Sequence, residues 1–206
     1  MSNTPKIYDW LMMAFSEPNN SLTETFYYDR RDKTFYSIHI MDYLVVKEDF
    51  TVNETVSSSY SIKTAKLLAD RMQRSATKDP EIVCIPTLPL EERKGIMRQF
   101  ANSLAKNNNL QNILSQKINN QDGTQRFDLY FGNEVDESTK NEWKKFKANS
   151  LYHKIDSFLN LNNIDIETSD IWDIGEKFSI DLKLNDEEMA KPSKNVILPK
   201  PWWKFW

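Results

Sequence analysis

Few residues in this chain combine a type and a spacing that chemistry can use. Cys84 is the single cysteine, so an internal disulfide framework is excluded, as is a zinc site built on several thiolates. It stands in Ile82-Val83-Cys84-Ile85, with no basic side chain or helix N-terminus beside it in sequence to favour a thiolate. It reads as a small buried hydrophobe. His39 and His153 are the two histidines. Each can move a proton near neutral pH, yet neither stands at a recognisable spacing from a serine, the cysteine or a carboxylate. Both read as packed or surface groups. Carboxylates cluster at Glu91-Glu92, at Glu134 with Asp136-Glu137, and at Asp186-Glu187-Glu188. Acid–base catalysis needs one carboxyl raised by burial and another kept ionised. These runs instead fall at helix starts or in polar loops, where they answer the helix dipole or stay solvated. No convergent catalytic constellation emerges, and no metal ligand set. No cofactor is implied, and four glycines are too few to organise a phosphate-binding architecture.

Two stretches could bind rather than react. Arg126-Phe127 follows the Asp122-Gly123 turn, and an arginine beside an aromatic can stack on and clamp a nucleic acid. Lys144, Lys145 and Lys147 would extend such a contact. The competing reading puts Phe127 in the core and Arg126 against a carboxylate. The second stretch is the C-terminal KPSKNVILPKPWWKFW. Trp202, Trp203 and Trp206 are half of the six tryptophans, and Phe205 lies among them. Each large aromatic buries about 150–250 Å² when it docks. Left in water, such a cluster is a liability, so it calls for a docking place. Its own body, a partner or second copy, and a membrane surface all qualify, since Trp and Lys suit a lipid interface.

Charge is uneven along the chain. The sum is −3, which provides no global basic field for a polyanion. Residues 1–164 are balanced, residues 165–190 carry nine acids against Lys177 and Lys183, and residues 191–206 carry four lysines and no acid. Lys200 and Lys204 could therefore meet Asp181, Asp186, Glu187 or Glu188. The opening MSNTPKIYDW lacks the layout of a secretory signal, and no run approaches the ~18 apolar residues of a membrane span. A cytoplasmic location is the expectation.

The elements that must carry these residues are legible in outline. Thr4 and Pro5 suit a helix start, and Ile7, Leu11, Ala14 and Phe15 then form one face. Two aromatic and β-branched runs across Arg30-Arg31-Asp32-Lys33 predict a hairpin over residues 24–40, with Leu44-Val45-Val46 a candidate third strand. Helical spacing is found over about residues 61–76, 90–106, 110–119 and 137–162. A further short helix is expected around Phe127 and Tyr130. Phe178, Ile180, Leu182 and Leu184 alternate as in a strand. Three prolines after Ala190 predict an extended peptide. The fold class expected is α+β: an N-terminal helix and hairpin layer, then a mainly helical body. Residues 1–164 form that domain, residues 165–190 an acidic strand-containing segment, and residues 191–206 a basic tail rich in Pro and Trp.

Over residues 7–166 or so, the order of several short motifs resembles uncharacterised protein family 0158, a group of small bacterial domains without an established activity. The carriers are Trp10-Leu11; Tyr28-Asp29-x3-Lys33-Thr34-x-Tyr36; Ile85-Pro86 ahead of Met97-x2-Phe100; Gly123-x2-Arg126-Phe127; and Trp143-x2-Phe146-Lys147, closing with Leu151 and Phe158-Leu159-x4-Ile164. The chain departs from similar members at Gln125 and Asp128, where Arg and Lys are frequent. The acidic segment and the tail lie outside the resemblance. It implies a fold and a bacterial origin, and it implies no chemistry.

These readings converge on a non-enzymatic interaction module that docks another protein, or a second copy, through Trp202, Trp203, Phe205 and Trp206, with Lys200 and Lys204 tuning the approach. A nucleic-acid-associated regulator using Arg126, Lys144, Lys145 and Lys147 is the first rival. An enzyme is the second, and it requires His39, His153 or Cys84 to meet a carboxylate in a cleft.

Overall fold

Alternation along the hairpin dictates the layers. In strand β1 (Glu24–Asp29) and strand β2 (Thr34–His39), the computed structural model pairs Tyr28 with Phe35 and Tyr27 with Tyr36 in antiparallel register. Successive side chains point to opposite faces, so Phe26, Tyr28 and Phe35 serve one core while Tyr36 and Ile38 serve another. The structure describes residues 4–18, 24–53, 61–104, 108–132 and 135–172. The strand expected at 176–184, the acidic run 186–188 and the whole tail 191–206 lie outside the described residues, as does Glu134.

Among the described residues the sheet has the order β3-β1-β2-β4. Strand β3 (Ile82–Ile85) is antiparallel to β1, and β4 (Asp170–Ile171) runs parallel to β2. The first face is covered by α1 (Thr4–Ser16), α4 (Leu90–Ser103), α5 (Asn108–Asn119) and α6 (Glu137–Leu161). Ile7, Leu11, Ala14 and Phe15 are buried there, as the spacing predicts, together with Met97, Phe100, Leu114, Trp143 and Ile155. The second face is covered by α3 (Ile62–Ala76), through Ala65, Leu68, Ala69 and Met72. The α+β class stands, but the core is two clusters divided by a sheet rather than one continuous mass. Helix starts follow from local chemistry: the side chain of Ser61 accepts from Thr64 N, and that of Asp136 accepts from Thr139 N.

Three expectations fail for physical reasons. Leu44-Val45-Val46 is no strand: residues Asp42–Val45 make one helical turn, α2, because the buried Asp42 carboxylate reaches back to accept the His39 N–H at 2.8 Å. Val46 then forms only an isolated bridge to Val52. The segment holding Phe127 and Tyr130 is irregular, because helix side chains take the backbone acceptors that a helix would use. Arg93 donates to Gln125 O, Lys147 to Phe127 O and Lys117 to Tyr130 O. Cys84 is exposed rather than buried, since β3 pairs with β1 on one side only and Cys84 faces away from the larger core.

Candidate functional site

The second face of the sheet carries a groove of about 750 Å³. Tyr27 and Ile38 form its floor from the sheet, and Met72, Ser75 and Ala76 bound it from the last turns of α3. The opposite wall is Tyr43, Leu44, Val46 and Phe50, from α2 and the turn after it. That turn is tightly made. Asp49 accepts from Thr51 N at 3.0 Å, Lys47 N donates to Thr51 O, and Phe50 has a positive φ of 60°. Lys47, Glu48 and Asn53 stand at the polar rim.

The surface around α2 is unusually apolar. Tyr43 and Leu44, which line the groove, are 63% and 51% exposed, and Ile40 and Met41, just before them in sequence, are 42% and 48% exposed. Asp42 alone is polar between Ile40 and Val46, and one helical turn cannot direct all these side chains inward. The result is apolar surface contiguous with a concave, partly apolar cavity, the arrangement expected of a binding site. The Ser75 hydroxyl donates to Arg71 O at 2.7 Å and lies 3.1 Å from the Tyr36 hydroxyl, so no base stands ready to activate it. Burial raises the Tyr27 phenol above its ordinary range, which keeps it neutral.

Beside the groove, Arg71 is sandwiched between the rings of Tyr36 and Trp172, its guanidinium carbon 4.6 Å and 4.7 Å from their centroids. One terminal nitrogen pairs with Asp32 at 2.9 Å. Nε and Nη1 are buried without an acceptor, and each such group costs about 1–3 kcal/mol. The far end of α3 is held by charge: Arg74 forks onto Asp29 and reaches Asp79 through Nε at 2.7 Å. The Arg74 guanidinium, followed by the Glu81 N–H, holds the Asp79 carboxyl below the usual carboxylate range. Arg74 is correspondingly raised, with Asp29 the larger cause.

The residues singled out by sequence are dispersed. Cys84 lies opposite Tyr27 in the β1–β3 register, its thiol raised by burial. His39 accepts from Met41 N through Nδ1, whereas His153 is exposed on α6. Arg126 pairs with Glu17 at 2.6 Å, and Lys147 with Asp128 at 3.2 Å. Lys144 and Lys145 are exposed on α6. Phe127 is buried against Trp143. Two of the four cations of the nucleic-acid reading are thus already paired with carboxylates. Glu91 and Glu92 occupy the first turn of α4, and Asp136 caps α6. Among the described residues no group of three or more His, Cys, Asp or Glu side chains could hold a metal ion, and no helix is long and apolar enough to cross a membrane. Trp202, Trp203, Phe205, Trp206, Lys200 and Lys204 lie outside the described residues. The groove itself escaped sequence reasoning. The signal was present in the apolar run from Ile40 to Val46, which is too long for a loop and does not alternate like a strand.

No family model, no curated protein and no solved structure matches the chain. The resemblance to uncharacterised protein family 0158 therefore rests on the order of its short motifs alone.

Proposed function

We propose that this protein is a non-enzymatic interaction module that works by docking aromatic anchors, with the groove between α2 and α3 as its receiving surface and the Trp-rich C-terminal segment as its own docking element. One observation carries the reading: the exposed apolar side chains of Tyr43 and Leu44 form one wall of a groove whose floor and other wall include Tyr27, Ile38 and Met72. Binding energy in such a site comes from a few aromatic anchors seated in a desolvated centre, while charges at the rim set approach and register. Glu48 and Lys47 would play that second part. Membership of family 0158, a cytoplasmic setting and a bacterial origin belong to the same proposal, the first and last resting on the motif order.

The test is a selection from a random peptide display library on the immobilised full chain carrying Trp202→Ala, Trp203→Ala and Trp206→Ala, repeated after adding Leu44→Asp. Leu44 is half exposed, so the substitution adds a charge to the rim without opening a core. The expected result is enrichment of peptides rich in Trp and Phe by the first chain and loss of that enrichment when Leu44→Asp is added. Equal selections from both chains would reject the groove as the binding site.

A further inference from the structure

The last described residue, Trp172, packs on the same cluster of apolar side chains as Val46, Met72 and Phe50. It covers Arg71, and Arg71 lies one helical turn from Ser75, which bounds the groove. The chain therefore leaves the described structure on the face that holds the groove, about 6 Å along α3 from it. The remaining 34 residues include the densest aromatic cluster in the sequence. We infer that the groove is occupied in the resting protein by the chain's own segment 200–206, with Trp202, Trp203 and Trp206 as anchors, so that a partner must displace this segment in order to bind. The inference rests on the reading of the groove as a docking surface and adds what fills it.

Reach and concentration favour the chain's own tail over a second copy. Twenty-nine residues separate Trp172 from Trp202, and the random-coil root-mean-square span for that number of residues is about 30 Å. That is ample for a site one or two helical turns away. A tether of this kind holds its end at an effective concentration of order millimolar, far above the micromolar concentrations at which a second copy would compete. Charge agrees with this assignment. Residues 191–206 carry four lysines and no acid, and the groove turn presents Lys47, Glu48 and Asp49, all exposed, so that the acids outnumber the one lysine. Asp49 is held ionised by the Thr51 hydroxyl and N–H.

The experiment measures binding of a fluorescent synthetic peptide spanning residues 199–206 to three full-length proteins by anisotropy. The first is wild type. The second carries Trp202→Ala, Trp203→Ala and Trp206→Ala, and the third adds Leu44→Asp to those changes. Circular dichroism and a second groove variant, Tyr43→Ala, guard against misfolding. The expected result is binding to the triple variant, at least tenfold weaker binding to wild type, and loss of binding when either groove substitution is added. Equal binding to wild type and the triple variant would overturn occupancy by the tail while leaving the groove reading to the peptide selection. No binding to the triple variant would overturn it as well, because the segment would then have no affinity for the groove. Sedimentation that shows a wild-type dimer, absent in the triple variant, would assign the occupant to a second copy and reject the intramolecular form.

Discussion

Trp143 meets the rings of Phe100 at 5.3 Å and Phe127 at 6.0 Å, while its indole N–H donates to Asp128 at 2.6 Å. Lys147 closes the arrangement by donating to the other Asp128 oxygen. One side chain thus joins α6, α4 and the irregular segment after α5. Trp143→Ala should cost about 3–5 kcal/mol, the range for a large aromatic removed from a packed core. Trp143→Phe keeps most of the apolar volume but leaves Asp128 with one donor fewer, so its cost should fall between wild type and alanine. Urea midpoints for the two variants check this order. At the opposite extreme, Cys84 is exposed on the edge strand β3. Burial of its surroundings raises the thiol above its ordinary value, and a raised pKa leaves less thiolate at neutral pH. Alkylation by iodoacetamide, followed by mass spectrometry, should show a pH midpoint above that of an unperturbed cysteine. A midpoint below it would place an unseen cation near β3.

At the scale of elements, α3 is the helix that decides whether the second face exists. Its apolar stripe packs on β2, and its last turn is fastened to the hairpin and to the turn before β3 by Arg74, Asp29 and Asp79. Asp79 is depressed in the folded protein, so its contribution is present above the unfolded carboxylate value of 3.8 and is lost as pH falls through the lower folded value. Asp122 and Asp136 shift in the same direction through their own hydrogen bonds. The urea midpoint should therefore fall as pH drops below about 4, and Asp79→Asn should flatten part of that fall. An unchanged pH profile in Asp79→Asn would remove this anchor from the account. The helices α1, α3, α4, α5 and α6 were legible in sequence because each keeps an apolar stripe at helical spacing, as in Ala65, Leu68, Ala69 and Met72. The hairpin was legible because aromatic runs flank a polar turn. What escaped was made by side chains acting across distance. Asp42 turns Leu44 and Val45 into a helical turn by capturing the His39 N–H. Arg93, buried and donating to Glu17 O, Leu88 O and Gln125 O, holds three loops that no local pattern encodes. The groove depends on both kinds of element and so inherits the harder half of the problem.

For the molecule as a whole, the sheet is a partition, and both of its faces must be covered for β2 to stay buried. Charge composition places a boundary near residue 164, but packing continues beyond it. Ile166 and Ile171 pack against the larger core, β4 hydrogen-bonds beside β2, and Trp172 N donates to Phe35 O at 2.8 Å. The Ser169 and Tyr28 hydroxyls lie 3.1 Å apart, binding this segment to β1 as well. Removing residues 165–172 would uncover Arg71, strip the outer strand from β2 and expose Tyr36. A chain ending at residue 172 should therefore unfold cooperatively with a midpoint close to that of the full chain, apart from the added stability that docking of the tail, as proposed above, would supply. A chain ending at residue 164 should lose at least about 2 kcal/mol, because a large aromatic and its cation–π partner are left without each other. Arg71→Met in the shorter chain separates the two causes. If the loss comes mainly from the uncovered guanidinium, an apolar side chain of similar length should recover part of it. If it comes from the missing strand, Met should recover none. Equal midpoints for the chains ending at 164 and 172 would show that β4 and Trp172 rest on a unit that is already complete, and the second face would then owe its stability to α3 alone.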